Sequence, residues 1–267
     1  MAASRASGLG AAAVGSVVVA LGVGGLSVAG LAVPGTVYAS ADLEQSYLGT
    51  DLATVVLGFP VLLLGVAGAV RGGVTSLLAW SGALLSFAYV GIAHVMGLPF
   101  GWMLLGRLLL LSLTIYVLMG LFVVIDHGAA AALLRPAVRR RLVAGLLVAL
   151  GALFLLLAMG VFVAELASEV GLARTEVAVV AADVVIAPAF VVAGILLWRD
   201  NALGYVAGLG LLVQAGILFL SLALAVLAQP ARTGSSPAWA DAIIVGVFGI
   251  LCLSPVLLTT QRLHGTE

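Results

Sequence analysis

Arg107 stands inside an otherwise apolar run, Trp102-Met103-Leu104-Leu105-Gly106-Arg107-Leu108-Leu109, and its guanidinium is the clearest candidate for chemistry. A charge in hydrocarbon costs about 2.5–3.5 kcal/mol on insertion scales, so such a residue normally faces a cavity, a partner or a functional site. By helical rise it would lie roughly 8 Å below an interface marked by Trp102. Asp51, His94, Glu165 and Asp183 fall at comparable depth on other apolar runs. Together these five residues form the candidate ligand-binding set. An anionic solute would pair with Arg107, whereas a proton or cation would use the carboxylates. Two readings compete. Arg107 could pair with Asp51, Glu165 or Asp183 simply to fix helix register, or it could snorkel outward while Asp51 and Asp183 cap helix starts.

Other chemistry is poorly supplied. The eleven basic residues are all Arg, so no Lys exists to form a Schiff base. Cys252 is the only cysteine, which excludes an intramolecular disulfide and a Cys-based metal site. Ser86 and His94 are eight residues apart on one run, roughly 12 Å along a helix, too far for a nucleophile and its base. No Gly-x-Ser-x-Gly, His-Glu-x-x-His or phosphate-cradling Gly-Lys-Thr occurs. His127 and His264 would sit at frayed helix ends, a poor place for axial haem ligands. The expectation is therefore no cofactor, no metal, no assigned catalytic residue and a role that leans away from enzyme. Pro60 and Pro188 lie within apolar runs and are the candidate hinges, with bundle shaping as the plainer reading.

The elements that must position these residues follow from composition. Of 267 residues, 64% are hydrophobic and 8% charged, with no net charge. Soluble domains carry about 25% charged residues, so the chain reads as an all-α integral membrane protein without a nucleic-acid surface. Eight runs are long enough to cross a bilayer: about 8–33, 51–70, 74–97, 102–125, 142–167, 177–198, 202–228 and 240–261. They leave 34–50, 126–141 and 229–239 as the longest segments outside the bilayer, too short for a second domain. The 34 Gly residues allow helices to approach closely in lipid.

Arginine placement sets the orientation. With both termini cytoplasmic in a cell membrane, Arg5, Arg71, Arg135, Arg139, Arg140, Arg141, Arg199 and Arg262 fall inside, against Arg174 and Arg232 outside. Asp42, Glu44, Glu169, Glu176 and Asp241 join the candidate acids toward the outer face. Arg135 to Arg141 would anchor topology or touch anionic lipid headgroups. Ala39-Ser40-Ala41 loosely fits a signal-peptide cleavage site, but the preceding apolar run exceeds an ordinary signal core of about 7–15 residues.

A faint internal repeat joins residues 1–128 to 137–267. At an offset of 128, Pro60 meets Pro188, Arg71 meets Arg199 and Gly82 meets Gly210; at 137, Trp102 meets Trp239 and His127-Gly128 meets His264-Gly265. Near 136, Arg5 meets Arg141 and Gly15 meets Gly151. Halves of four spans would enter the membrane in the same direction, a parallel four-plus-four arrangement within a single transmembrane domain. Chance matching among Gly- and Leu-rich helices is the competing account.

Gly49-Thr50-Asp51 through Gly58-Phe59-Pro60, the Arg71-Gly72 turn, and Leu203-Gly204-Tyr205 after Arg199 resemble a set of uncharacterised bacterial polytopic membrane proteins. The resemblance implies about eight spans and carries no activity to transfer. Where those proteins are rich in aromatic residues and Asn, around the third and fourth spans, this chain has His94, Trp102 and Arg107. The expectation is a protein that binds or transports a small solute at an outward-facing polar site among membrane lipids. The alternative is a non-catalytic subunit or scaffold docked to a membrane-protein partner or to further copies of itself.

Overall fold

The computed structural model describes residues 2–166, 171, 173–229, 236 and 238–264, with the backbone alone at 2–6 and 264. Glu169, Arg232, Gly265 and the side chains of Arg5 and His264 lie outside the described residues. Every element described is helical: α1 (Ala2–Ala32), α2 (Pro34–Val37), α3 (Ala41–Ala53), α4 (Phe59–Ala69), α5 (Val74–Gly97), α6 (Trp102–Val124), α7 (His127–Leu134), α8 (Arg140–Leu166), α9 (Arg174–Trp198), α10 (Ala202–Ala228) and α11 (Trp239–His264). A π-helical turn, Thr54–Gly58, joins α3 to α4, and that composite is one of eight spans long and apolar enough to cross a membrane. The chain is a polytopic membrane protein. Trp102, Trp198 and Trp239 are exposed at span ends, as interfacial indoles should be.

Two expected loops are helical instead. The second span begins at Ala41 rather than near residue 51 because Ser40 accepts the Leu43 N–H, while Asp42 and Glu44 favour the positive end of the helix dipole. Asp126 similarly caps α7 by accepting the Ala129 N–H at 3.0 Å. The two prolines also behave differently. Pro60 cannot return an N–H to the preceding turn, and the helix widens so that Phe59 N–H reaches Thr54 O. Around Pro188, α9 runs uninterrupted from Arg174 to Trp198.

Spans α5 and α10 form the centre of the bundle, with 61% and 44% of their apolar windows buried against at most 39% elsewhere. Small residues let them meet. A Cβ on Gly82 would lie 2.7 Å from Gly210 O, and one on Gly210 would lie 2.7 Å from Ser81 Oγ. Around this pair, α4, α6 and α9 pack on α5, while α3, α7, α9 and α11 pack on α10. Span α1 lies against α3, α4 and α6, and α8 lies chiefly against α9.

At the ends of α4 and α9 the chain reverses through the same pair of hydrogen bonds. Gly73 N–H reaches Gly68 O at 3.0 Å and Gly72 N–H reaches Ala69 O at 2.9 Å; Asn201 reaches Leu196 O at 2.9 Å and Asp200 reaches Leu197 O at 3.0 Å. Such a cap needs a left-handed residue, here Gly72 at φ 92° and Asp200 at φ 60°. Asp200 compensates for its less comfortable conformation with contacts that glycine could not make. It accepts from Tyr205 at 2.8 Å and pairs with Arg135 and Arg140, each at 3.3 Å. The Tyr205 bond, and then both arginines, hold its carboxyl below the usual range. Two of the arginines expected to serve as anchors therefore tie α7 and the start of α8 to the α9–α10 turn.

Gly65→Ala should destabilise the protein by about 1–3 kcal/mol, because the new Cβ would sit 2.6 Å from the Trp80 backbone nitrogen. Gly10→Ala, with nothing within 4 Å, is the control. Thermal unfolding in nanodiscs should separate the two, and equal midpoints would contradict the packing account.

Candidate functional site

The second span presents Tyr47, Asp51 and Thr54 at i, i+4 and i+7, one buried helical face. Asp51 is completely buried and lies ten residues beyond the start of α3. Asp183 lies nine residues into α9. Neither is a helix cap. From α6, Arg107 approaches Asp51, with Nη2 donating to Oδ1 at 3.3 Å and only 4% of the side chain exposed. It pairs inward rather than snorkelling.

Two further elements complete the carboxylate's surroundings. Tyr38, in the connection between α2 and α3, donates its hydroxyl to Asp51 Oδ2. Burial, followed by the neighbouring carboxylate, holds that phenol far above its usual pKa, so it remains a donor. Span α1 contributes Ser27, whose hydroxyl stands near Asp51 outside hydrogen-bond geometry, and Gly30. A Cβ at Gly30 would collide with Asp51 Oδ2 and lie 3.1 Å from the Tyr38 hydroxyl.

His94 reaches the cluster through aromatic rings. Its imidazole stacks on Tyr47 with centroids 4.3 Å apart, and Tyr47 stacks on Tyr38 at 5.9 Å. The Tyr47 hydroxyl donates to Ala93 O at 3.2 Å, in space kept open by Gly97. His94 Nδ1 lies 2.8 Å from Val90 O, a contact that places the proton on Nδ1. In the neutral ring Nε2 is then a bare acceptor. His94 Nε2 and Arg107 Nε are both buried, and neither has a hydrogen-bond partner among the described residues. Buried polar atoms are rarely left so, and here an unused donor and an unused acceptor belong to the same cluster.

The roof is apolar. Val37, Tyr38, Tyr47 and Leu98 form a cluster separate from the main core, packed by Ala29, Leu43, Met103 and Leu104. These side chains come from α1, α2, the α2–α3 connection, α3, the end of α5 and the start of α6. Of the five candidates, the fold brings together Arg107, Asp51 and His94. Asp183 instead accepts the Tyr89 hydroxyl at 2.8 Å, between α9 and α5. Glu165, in the last turn of α8, has its carboxylate near Gly171. His127 is engaged with Phe122 O at 2.8 Å.

Sequence reasoning missed Tyr38, Tyr47, Gly30 and Gly97. Tyr47 had a usable signal, its i, i+4 spacing to Asp51, but it lay in a segment read as outside the bilayer. Compared with known proteins, the chain matches no family model, no curated sequence and no solved structure. What stands of the resemblance to bacterial polytopic proteins is the polytopic architecture.

Asp51→Asn should destabilise the protein by about 3–5 kcal/mol by leaving a buried guanidinium unpaired, and Arg107→Gln should do the same to the carboxylate. The double variant should recover part of either loss. Additive losses in a thermal double-mutant cycle would mean that the two side chains do not interact.

Proposed function

We propose that the protein binds or transports a small oxygen-bearing solute at the Asp51–Arg107–His94 cluster, with this structure representing its closed state. The reading is carried by the unused Arg107 Nε donor and the unused His94 Nε2 acceptor inside one sealed cluster. A carboxylic acid or hydroxy compound offers the complementary pair, an acceptor for Arg107 and a donor for His94. The π-helical turn just below Asp51 gives the second span a backbone that can change register, a feature often found at functional sites.

The bundle is best understood as two parallel four-span halves. Matching caps at Gly68–Gly73 and Leu196–Asn201, both at an offset of 128, support this reading. So does the contact of Gly82 with its own counterpart Gly210, as expected beside a two-fold axis along the membrane normal. The polar cluster belongs to one half: Val179 and Ile244 occupy the positions corresponding to Asp51 and Arg107.

The end of the bundle bearing Arg71, Arg135, Arg140, Arg199 and Arg262 faces the cytoplasm in this reading, and the roof over the cluster faces outward. In a Cys252→Ser background, Gly101→Cys should react with a membrane-impermeant maleimide on intact expressing cells. Pro136→Cys, exposed in the α7–α8 connection, should react only after permeabilisation, and the reverse pattern would invert the orientation.

Native mass spectrometry of protein released from native-lipid nanodiscs tests the solute site. Wild type should retain a small non-lipid mass that is lost in His94→Phe, which keeps the ring stack, and in Arg107→Lys, which keeps the charge. Asp183→Asn should retain it. A wild-type chain carrying no such mass, but a stoichiometric protein partner, would replace this reading with the subunit one.

A further inference from the structure

At the arginine-rich end, a groove of about 220 Å³ opens between the start of α8 and the final turns of α11. Its walls are Leu142, Val143 and Leu146 on one side and Leu251, Pro255 and Leu258 on the other. Pro255 has no N–H for Leu251 O, and the Ser254 hydroxyl donates to that carbonyl at 2.9 Å. Thr259 donates to Pro255 O at 2.7 Å. Both wall hydroxyls are therefore satisfied within their own helix. The groove offers its occupant an apolar wall.

Its mouth is different. Arg139 and Arg262 line it, with no carboxylate among the described lining residues. Arg262 Nη1 donates to Ala137 O at 3.0 Å, which fixes that side chain at the rim. While Arg135 and Arg140 of the same segment pair with Asp200, Arg139 is exposed and has no ion-pair partner among the described residues. An apolar slot within two spans, ending in two guanidiniums, has the chemistry of one molecule: an apolar chain with an anionic head.

We propose that this groove binds an anionic glycerophospholipid, one acyl chain lying between α8 and α11 and the phosphate held by Arg139 and Arg262. The two-half reading adds a reason for the gap, although the groove's chemistry stands without it. In the first half, α6 closes tightly on α1, where a Cβ at Gly8 would lie 2.7 Å from Val124 and one at Gly15 would lie 2.6 Å from Val117. The counterpart of Val117 is Ser254, which lines the groove. A lipid chain would occupy in the second half the place that helix packing fills in the first.

The test uses full-length protein in nanodiscs of equal dioleoyl-phosphatidylglycerol and dioleoyl-phosphatidylcholine, with the lipids that survive release counted by native mass spectrometry. Wild type should keep one phosphatidylglycerol about tenfold in excess over phosphatidylcholine. Arg139→Gln and Arg262→Gln should each cut that preference severalfold. Leu146→Trp and Ser254→Phe, which fill the groove from opposite walls with both arginines intact, should abolish retention. Equal retention of the two lipids by wild type, or an unchanged preference in both filled variants, would overturn the proposal.

Discussion

At Gly82 and Gly210 α5 and α10 come so close that a Cβ on Gly82 would lie 2.7 Å from Gly210 O, and most of the surrounding elements pack on one or other of these two helices. Lipid tails are as apolar as leucine, so helices in a bilayer are not driven together by water. What remains is contact quality, which improves as axes come closer. With small residues at the α5–α10 contact, α4, α6 and α9 pack on one of these helices and α3, α7, α9 and α11 on the other. A leucine at either glycine would force apart the two helices on which most of the others pack.

The polar cluster lives off that frame without being part of its centre. Its members come from α1, the α2–α3 connection, α3, α5 and α6, so its geometry depends on elements separated by up to 56 residues between bonded partners. Glycines set the tolerances. Gly30 lets α1 approach the carboxylate, and Gly97 makes room for the phenol that carries His94. Burying Asp51 and Arg107 as a pair avoids leaving either charge alone in hydrocarbon, but an ion pair by itself would not require a histidine with an unused lone pair.

Hydropathy was sufficient to find the eight spans because a bilayer imposes one length and one composition on every crossing segment. It failed at residues 41–50, where Asp42, Glu44, Gln45 and Ser46 lower the apolar signal although the Ser40 cap continues the helix outward. That ten-residue difference hid Tyr47 and turned Asp51 from a buried residue into an apparent helix start. Depth alone also made Glu165 and Asp183 look equivalent to Asp51. Which face a helix turns inward depends on its neighbours, and Asp183 turns toward Tyr89. Pro60 and Pro188 align in sequence yet differ in backbone, since the widening of a turn depends on what is packed beside it: Gly58 lies against the Phe87 ring.

Chain order separates the two partners of Asp51. A membrane protein is made from its N-terminus, so the carboxylate of Asp51 is synthesised well before Arg107, its ionic partner 56 residues later. Tyr38 precedes Asp51 by 13 residues and belongs to the adjoining connection. The carboxylate is thus synthesised together with its phenol donor, and its cation arrives only with the fourth span.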